Sequence, residues 1–173
     1  MAVRPNLGFG YKFKPSRYFS FVPQLGFIYD LLYIKTKTSN TGALSAFKNT
    51  IQWYGPWFGF DTTTKLTQRW TMNLGAAYQI AFYNASGNWE IPPSQRQNTM
   101  NQHGTGNSFS GRFRLQYEIV KSVNLGGEAD MGWKKVNSGQ DSRRFANGTT
   151  LKSKLTNVTA KTWGARLVLT KAF

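Results

Sequence analysis

Two stretches of two-residue alternation, Phe109–Ile119 and Val123–Trp133, constrain this chain more than any other feature. Phe109, Gly111, Phe113, Leu115, Tyr117 and Ile119 share one parity, and Ser110, Arg112, Arg114, Gln116 and Glu118 the other. After Val120-Lys121-Ser122 the pattern resumes, with Val123, Leu125, Gly127, Ala129, Met131 and Trp133 set against Asn124, Gly126, Glu128, Asp130, Gly132 and Lys134. Successive side chains of a β-strand point to opposite faces, so the pattern predicts two strands joined by a tight turn. The apolar positions are odd in both strands, so facing residues have numbers with an even sum. A three-residue turn pairing Ile119 with Val123 satisfies this, and places Arg114 across from Glu128 and Arg112 across from Asp130. Opposite charges directly across a sheet stabilise it by roughly 0.2–1 kcal/mol per pair.

Alternation alone suits a soluble sandwich as well as a membrane sheet. Composition separates them. Aromatic residues make up 16% of the 173-residue chain, yet its mean hydropathy is −0.45. That mixture fits a protein with lipid-facing apolar residues and a wet interior and loops. No run of about 18 apolar residues is present, so no membrane helix is expected. Lys and Arg number 22 against 7 Asp and Glu, a net charge of +15 that favours an anionic neighbour such as nucleic acid or a phosphate-rich membrane surface. There is no Cys, which excludes a disulfide framework and a thiolate site. Met1-Ala-Val-Arg-Pro5 has no apolar signal region, implying either a removed signal or a start inside a larger gene product.

Further alternating stretches run along the chain. Val3–Phe13 reads as a strand closed by a Lys14–Arg17 turn, and Phe19–Ile34 as a long strand with a bulge or edge at Pro23. Thr38–Gly42 reads as a loop. Roughly Phe47–Phe60 follows, with Tyr54, Pro56, Phe58 and Phe60 outward and a bulge near Gly55-Pro56. Asp61–Gln68 reads as a polar turn, and Trp70–Phe82 as a clean strand. Asn84–Asn107 and Ser138–Thr156 read as long polar loops, and the last strand carries Trp163, Ala165, Leu167 and Leu169 on one face. The result is about seven strands whose connections alternate between short and long. That rhythm, with strands near the ~9–11 residues needed to cross a bilayer, predicts an all-β, antiparallel up-and-down transmembrane β-barrel with short periplasmic turns and long outer loops.

On these residues the chain resembles a Gram-negative outer-membrane β-barrel. In that superfamily an aromatic C-terminal residue such as Phe173 is similar to the signal read by the barrel-insertion machinery, although Lys171 departs from the usual apolar residue two places earlier. Pro56-Trp57-Phe58-Gly59-Phe60, a turn, then Leu74-Gly75-Ala76 is similar in rhythm to an omptin hairpin. The resemblance implies a bacterial outer-membrane location, with lipid and lipopolysaccharide as partners. Seven is an odd number, and bacterial single-chain barrels have even numbers. Residues 1–173 are therefore expected to form a single β-barrel domain lacking an upstream strand, or the C-terminal part of a larger barrel, with a miscounted strand as the alternative.

The lipid-facing set is expected to include Trp70, Leu74, Tyr78, Phe113, Leu115, Tyr117, Trp133, Leu167 and Leu169. Arg112, Asp130, Arg114 and Glu128 are expected to form an ion-pair network in the lumen, extended by Arg166, Glu118, Asp30 and Lys134; it either fills a narrow interior or forms a charged constriction. Lys35, Lys37, Arg143, Arg144, Lys152 and Lys154 are candidate contacts for lipopolysaccharide phosphates.

Catalytic motifs are scarce. His103, the single His, has no carboxylate close in sequence, and there is no Asp-x-Asp such as the omptin resemblance would require. Gly8-Phe9-Gly10 is followed by no helix and no GK[ST] loop exists, so no cofactor is expected; nor is a metal. Three Asn-x-Ser/Thr sequons, at Asn84, Asn147 and Asn157, are chance matches in a bacterial chain. The reading is a non-enzymatic barrel with a structural, adhesive or small-pore role. A lipocalin-like soluble barrel would turn the aromatic face inward. An omptin-like protease lacks a recognisable catalytic set. Nucleic-acid binding is not expected, because the aromatics face away from the strand charges.

Overall fold

The computed structural model describes residues 2–37, 46–91 and 96–171, and for residues 36, 37, 46, 89–91, 96 and 97 the backbone alone. The Thr38–Gly42 loop and Phe173 lie outside the described residues, as does the side chain of Lys37. The structure is all-β. Its segments are β1 (Ala2–Val3), β2 (Asn6–Gly10), β3 (Phe13–Ser16), β4 (Phe19–Lys37), β5 (Ala46–Lys65), β6 (Trp70–Ile91), β7 (Arg96–Val120), β8 (Val123–Arg144), β9 (Thr150–Leu155) and β10 (Thr159–Lys171).

These ten segments build seven strands. β1, β2 and β3 all pair with β4, and β9 and β10 both pair with β8, so each set is one interrupted strand. Hydrogen bonds bridge the gaps: Tyr29 N donates to Pro5 O at 3.1 Å, Tyr11 N to Pro23 O at 3.3 Å, and Val136 N to Val158 O at 2.8 Å. Every neighbouring pair is antiparallel, in up-and-down order, and no pairing joins the first strand to the last among the described residues.

The faces are arranged as a membrane sheet requires. Outward residues such as Phe58, Leu74, Phe113, Leu125, Met131 and Leu167 are exposed, whereas Gln79, Ser108 and Glu128 are buried. This is the reverse of a lipocalin-like interior. Tyr54, half-buried, and Pro56, Phe58 and Phe60, exposed, share the outward face, while Trp53 is buried inside.

Several local expectations are corrected. No register shift occurs at Gly55-Pro56: Tyr54 faces Phe82 before it and Trp57 faces Gln79 after it, in one register. Gly55 instead takes φ +150°, where a Cβ would stand 2.0 Å from Ile80 O. At Pro23 the interruption falls on the neighbouring strand. Pro23 O accepts from Tyr11 N, so its missing donor points at the gap between β2 and β3, while its pairing with β5 is unbroken. The β7–β8 turn has two residues, Lys121 and Ser122 (φ 72°), with Ile119 as an extra bulged residue. That bulge restores the register a three-residue turn would have set, so Arg114 faces Glu128 and Arg112 faces Asp130.

The two stretches read as long polar loops are mostly strand. β6 and β7 stay paired without a shift from Trp70–Tyr117 to Ile91–Arg96, and β8 and β9 stay paired from Gly139–Leu155 to Arg144–Thr150. Above the apolar band both faces of a sheet are wet, so alternation disappears while the backbone ladder continues.

Candidate functional site

The interior can be described as rows of inward residues facing one another across the sheet. One row near the lower end is Ser20, Thr63, Asn73, Arg114, Glu128 and Arg166, all polar. Thr63 Oγ1 donates to Asn73 Oδ1 at 2.8 Å. Glu128, whose side chain is wholly buried, accepts from Arg114 on one side and Arg166 on the other. A buried carboxylate is tolerable only with such partners.

The next row is Val22, Asp61, Gly75, Arg112, Asp130 and Gly164. Here the expected Arg112–Asp130 ion pair does not form, although the two residues face each other. Arg112 Nη2 reaches Asp61 Oδ1 at 2.9 Å, and Gln24 Nε2 donates to Asp61 Oδ2 at 2.9 Å. The reason is Gly75 on the strand between them. A Cβ there would stand 2.3 Å from Asp61 Oδ1, so glycine clears the path for a bond that skips one strand. Asp130 leans the other way, with Oδ1 2.9 Å from where a Gly164 Cβ would be. Asp61 escaped the sequence reading because it looked like the start of a turn, whereas β5 continues to Lys65.

Above this, four of the six inward residues in the row are small, Gly59, Ala77, Ser110 and Gly132, flanked by Gln24 and Thr162. They leave a cavity of about 770 Å³. On its rim Asp30 holds Arg4 Nε at 2.9 Å and also Lys134, which lies over the Trp53 ring at 5.7 Å. Trp53 and Tyr83 on its lining belong to an apolar cluster with Ala81, Ala85, Val136 and Leu155, and their rings lie 4.7 Å apart. No sequence signal marked this cluster, because its members sit on the face that is polar elsewhere along the same strands. Glu118 takes no part in the lumen network; it accepts from Ser122 N at 3.3 Å and caps the turn.

The sequence matches the Protochlamydia outer membrane protein family over residues 3–173. The chain belongs to this family. It is an outer-membrane β-barrel protein, and its fold is similar to the crystal structure of the outer membrane protease OmpT from Escherichia coli. The two superpose with a TM-score of 0.73 at 12% identity, a match covering 97% of this chain and 62% of that one. The chain thus spans less than two thirds of the length of that structure, and at this identity the likeness is one of fold. No curated protein matches the sequence.

On the outside of this outer-membrane protein, Trp70, Leu74, Phe113, Trp133, Leu167 and Leu169 are exposed. Tyr78, Leu115 and Tyr117 share their face but are half-buried; Tyr78 lies against Phe58 and Tyr117 against Trp70, with ring centroids 5.4 and 5.0 Å apart. Arg69, in the turn below, donates to Tyr117 Oη at 3.1 Å, a bond that raises its pKa. Lys35, Lys48, Arg144, Lys152, Lys154 and His103 project on the outward face above the apolar band. Arg143 does not join them: it faces the other way and pairs with Asp141 at 2.9 Å.

His103 faces Gln140, and Gln140 faces Lys154. Asp141 faces Gln102 on the opposite side of the sheet. The register therefore keeps the histidine and the nearest strand carboxylate on opposite faces, and no group of three metal-ligating side chains occurs among the described residues.

Proposed function

We propose that this outer-membrane barrel is a non-enzymatic, non-conducting structural or adhesive protein whose lumen is held by ion pairs and whose outer rim binds anionic lipid headgroups. One observation supports the reading: inward side chains occupy the interior at two levels, the Arg114–Glu128–Arg166 layer and the Trp53–Tyr83–Val136 cluster, with the cavity between them. A conducting barrel needs a continuous wet path. The protein reconstituted in planar bilayers is expected to give no steady single-channel current at neutral pH. Stable, salt-dependent openings would replace this reading with the small-pore one.

The rim reading rests on the outward Lys and Arg side chains just above the apolar band. Among residues with described side chains, no carboxylate shares that face. Each cation at an anionic membrane surface contributes about 1 kcal/mol. The double variant Lys152→Ala/Lys154→Ala is therefore expected to bind lipopolysaccharide roughly 10–30-fold more weakly. A fluorescence titration at fixed ionic strength measures this, and unchanged affinity would remove the rim from the proposal. The protease activity of OmpT is not carried over, because His103 points away from Asp141.

A further inference from the structure

Gln79 lines the cavity, is 5% exposed, and its amide Nε2 has no hydrogen-bond partner. Such a group is rare inside a folded protein, because it has lost water without a replacement. Its neighbours in the same inward row extend the pattern. Gln79 faces Ser108, and Ser108 faces Lys134. An amide, a buried hydroxyl and an ammonium thus stand side by side on β6, β7 and β8, on strands about 5 Å apart. All three residues line the cavity. Lys134 shares the Asp30 carboxylate with Arg4, so two cations meet one anion and a positive charge is left in excess. Asp130, another carboxylate of the lining, stands four residues along β8 from Lys134, about 13 Å away.

On the other side of Gln79 the row continues to Trp57. This indole is seated against two glycines. A Cβ at Gly8 would stand 2.8 Å from its Cζ2, and one at Gly26 2.9 Å from its Cε2. Its Nε1 donates to Asn6 Oδ1 at 2.8 Å, which fixes the ring beside the three donors. Trp57 also lines the cavity, so the donor row has an aromatic wall next to it. The row below, with Gly59, Ala77, Ser110 and Gly132, leaves the space in front of them open.

We propose that the cavity is a binding site for a small organic carboxylate with a flat, unsaturated body. The carboxylate accepts from Gln79 Nε2, Ser108 Oγ and Lys134 Nζ, and the body lies against the Trp57 ring. The volume of about 770 Å³ falls in the ~300–1,000 Å³ range of small-molecule sites. A single water, with about 30 Å³ of liquid volume, would satisfy the amide but use neither the excess charge nor the ring. The proposal goes beyond the structural role argued above and depends on neither the outer rim nor the absence of conduction.

Calorimetric titration of the folded protein in non-ionic detergent tests it, with sodium benzoate as the probe and benzylammonium chloride as its charge-reversed control. Benzoate is expected to bind saturably at one site and benzylammonium not to bind. Gln79→Leu and Ser108→Ala, each checked for heat-modifiable gel migration, are expected to weaken benzoate binding roughly 10-fold or more, the usual effect of removing a hydrogen bond to a charged group. Benzoate is also expected to raise the urea midpoint of the unaltered protein and to leave that of the variants unmoved. If Gln79→Leu fails to fold, Ser108→Ala alone decides. Absence of saturable benzoate binding would overturn the proposal. Equal binding of benzylammonium would show a site blind to charge and overturn it. Unaltered affinity in either folded variant would show partition into detergent, or a site elsewhere, and overturn it equally.

Discussion

Met131→Arg is expected to destabilise the folded barrel by about 2–4 kcal/mol, the cost of a charged side chain facing lipid near the bilayer midplane. Met131 lies in the outward row of Phe60, Ala76, Gly111 and Trp163. That row is midway between two aromatic girdles, Trp70–Tyr117 below and Tyr54–Phe82 above. Met131 is 59% exposed, so arginine displaces little protein packing and the loss reports on lipid contact. Urea unfolding in phospholipid vesicles measures it. The paired control is Thr162→Arg, on the inward face beside the cavity, where the expected cost is within about 1 kcal/mol. Equal costs for the two substitutions would contradict the assignment of faces.

Glu128→Ala is expected to lower stability by about 2–3 kcal/mol. Removing one partner of a buried ion pair costs roughly 3–5 kcal/mol because the other charge is stranded. Here the stranded groups are two guanidiniums that repel each other, but Arg114 and Arg166 keep side-chain exposures of 29% and 61%, so water screens part of the penalty. Glu128→Gln retains the shape and loses the charge, and is expected to cause nearly the same loss. A double-mutant cycle with Arg114→Ala separates the pairwise contribution from general damage to packing. A coupling near zero would reduce the ion-pair layer to incidental contacts.

Legibility differed by level. The alternation at Trp70–Phe82, Phe109–Ile119 and Val123–Trp133 made the strands, the faces and the Arg114–Glu128 register readable before any coordinates, because each requires only a local period of two and one apolar side. The same criterion failed at Asn84–Asn107 and Ser138–Thr156. Paired strands above the membrane have water on both sides, so nothing forces polar and apolar residues to alternate. The partner of Arg112 was also hidden. Its choice of Asp61 over Asp130 depends on a glycine of the intervening strand, and local spacing carries no information about reach across a third strand.

The amino-acid order alone determined an up-and-down sheet of seven strands, greasy outside and charged within, since strand direction and facing follow from turns and parity. The tertiary fold decided what the interior holds. The bond that skips Gly75, the reach of Lys134 on β8 to Asp30 on β4, and the packing of Val136 and Leu155 with Trp53 and Tyr83 all come from the sheet's curvature. Curvature brings side chains of sequence-distant strands within bonding distance, and that distance is written in no single strand.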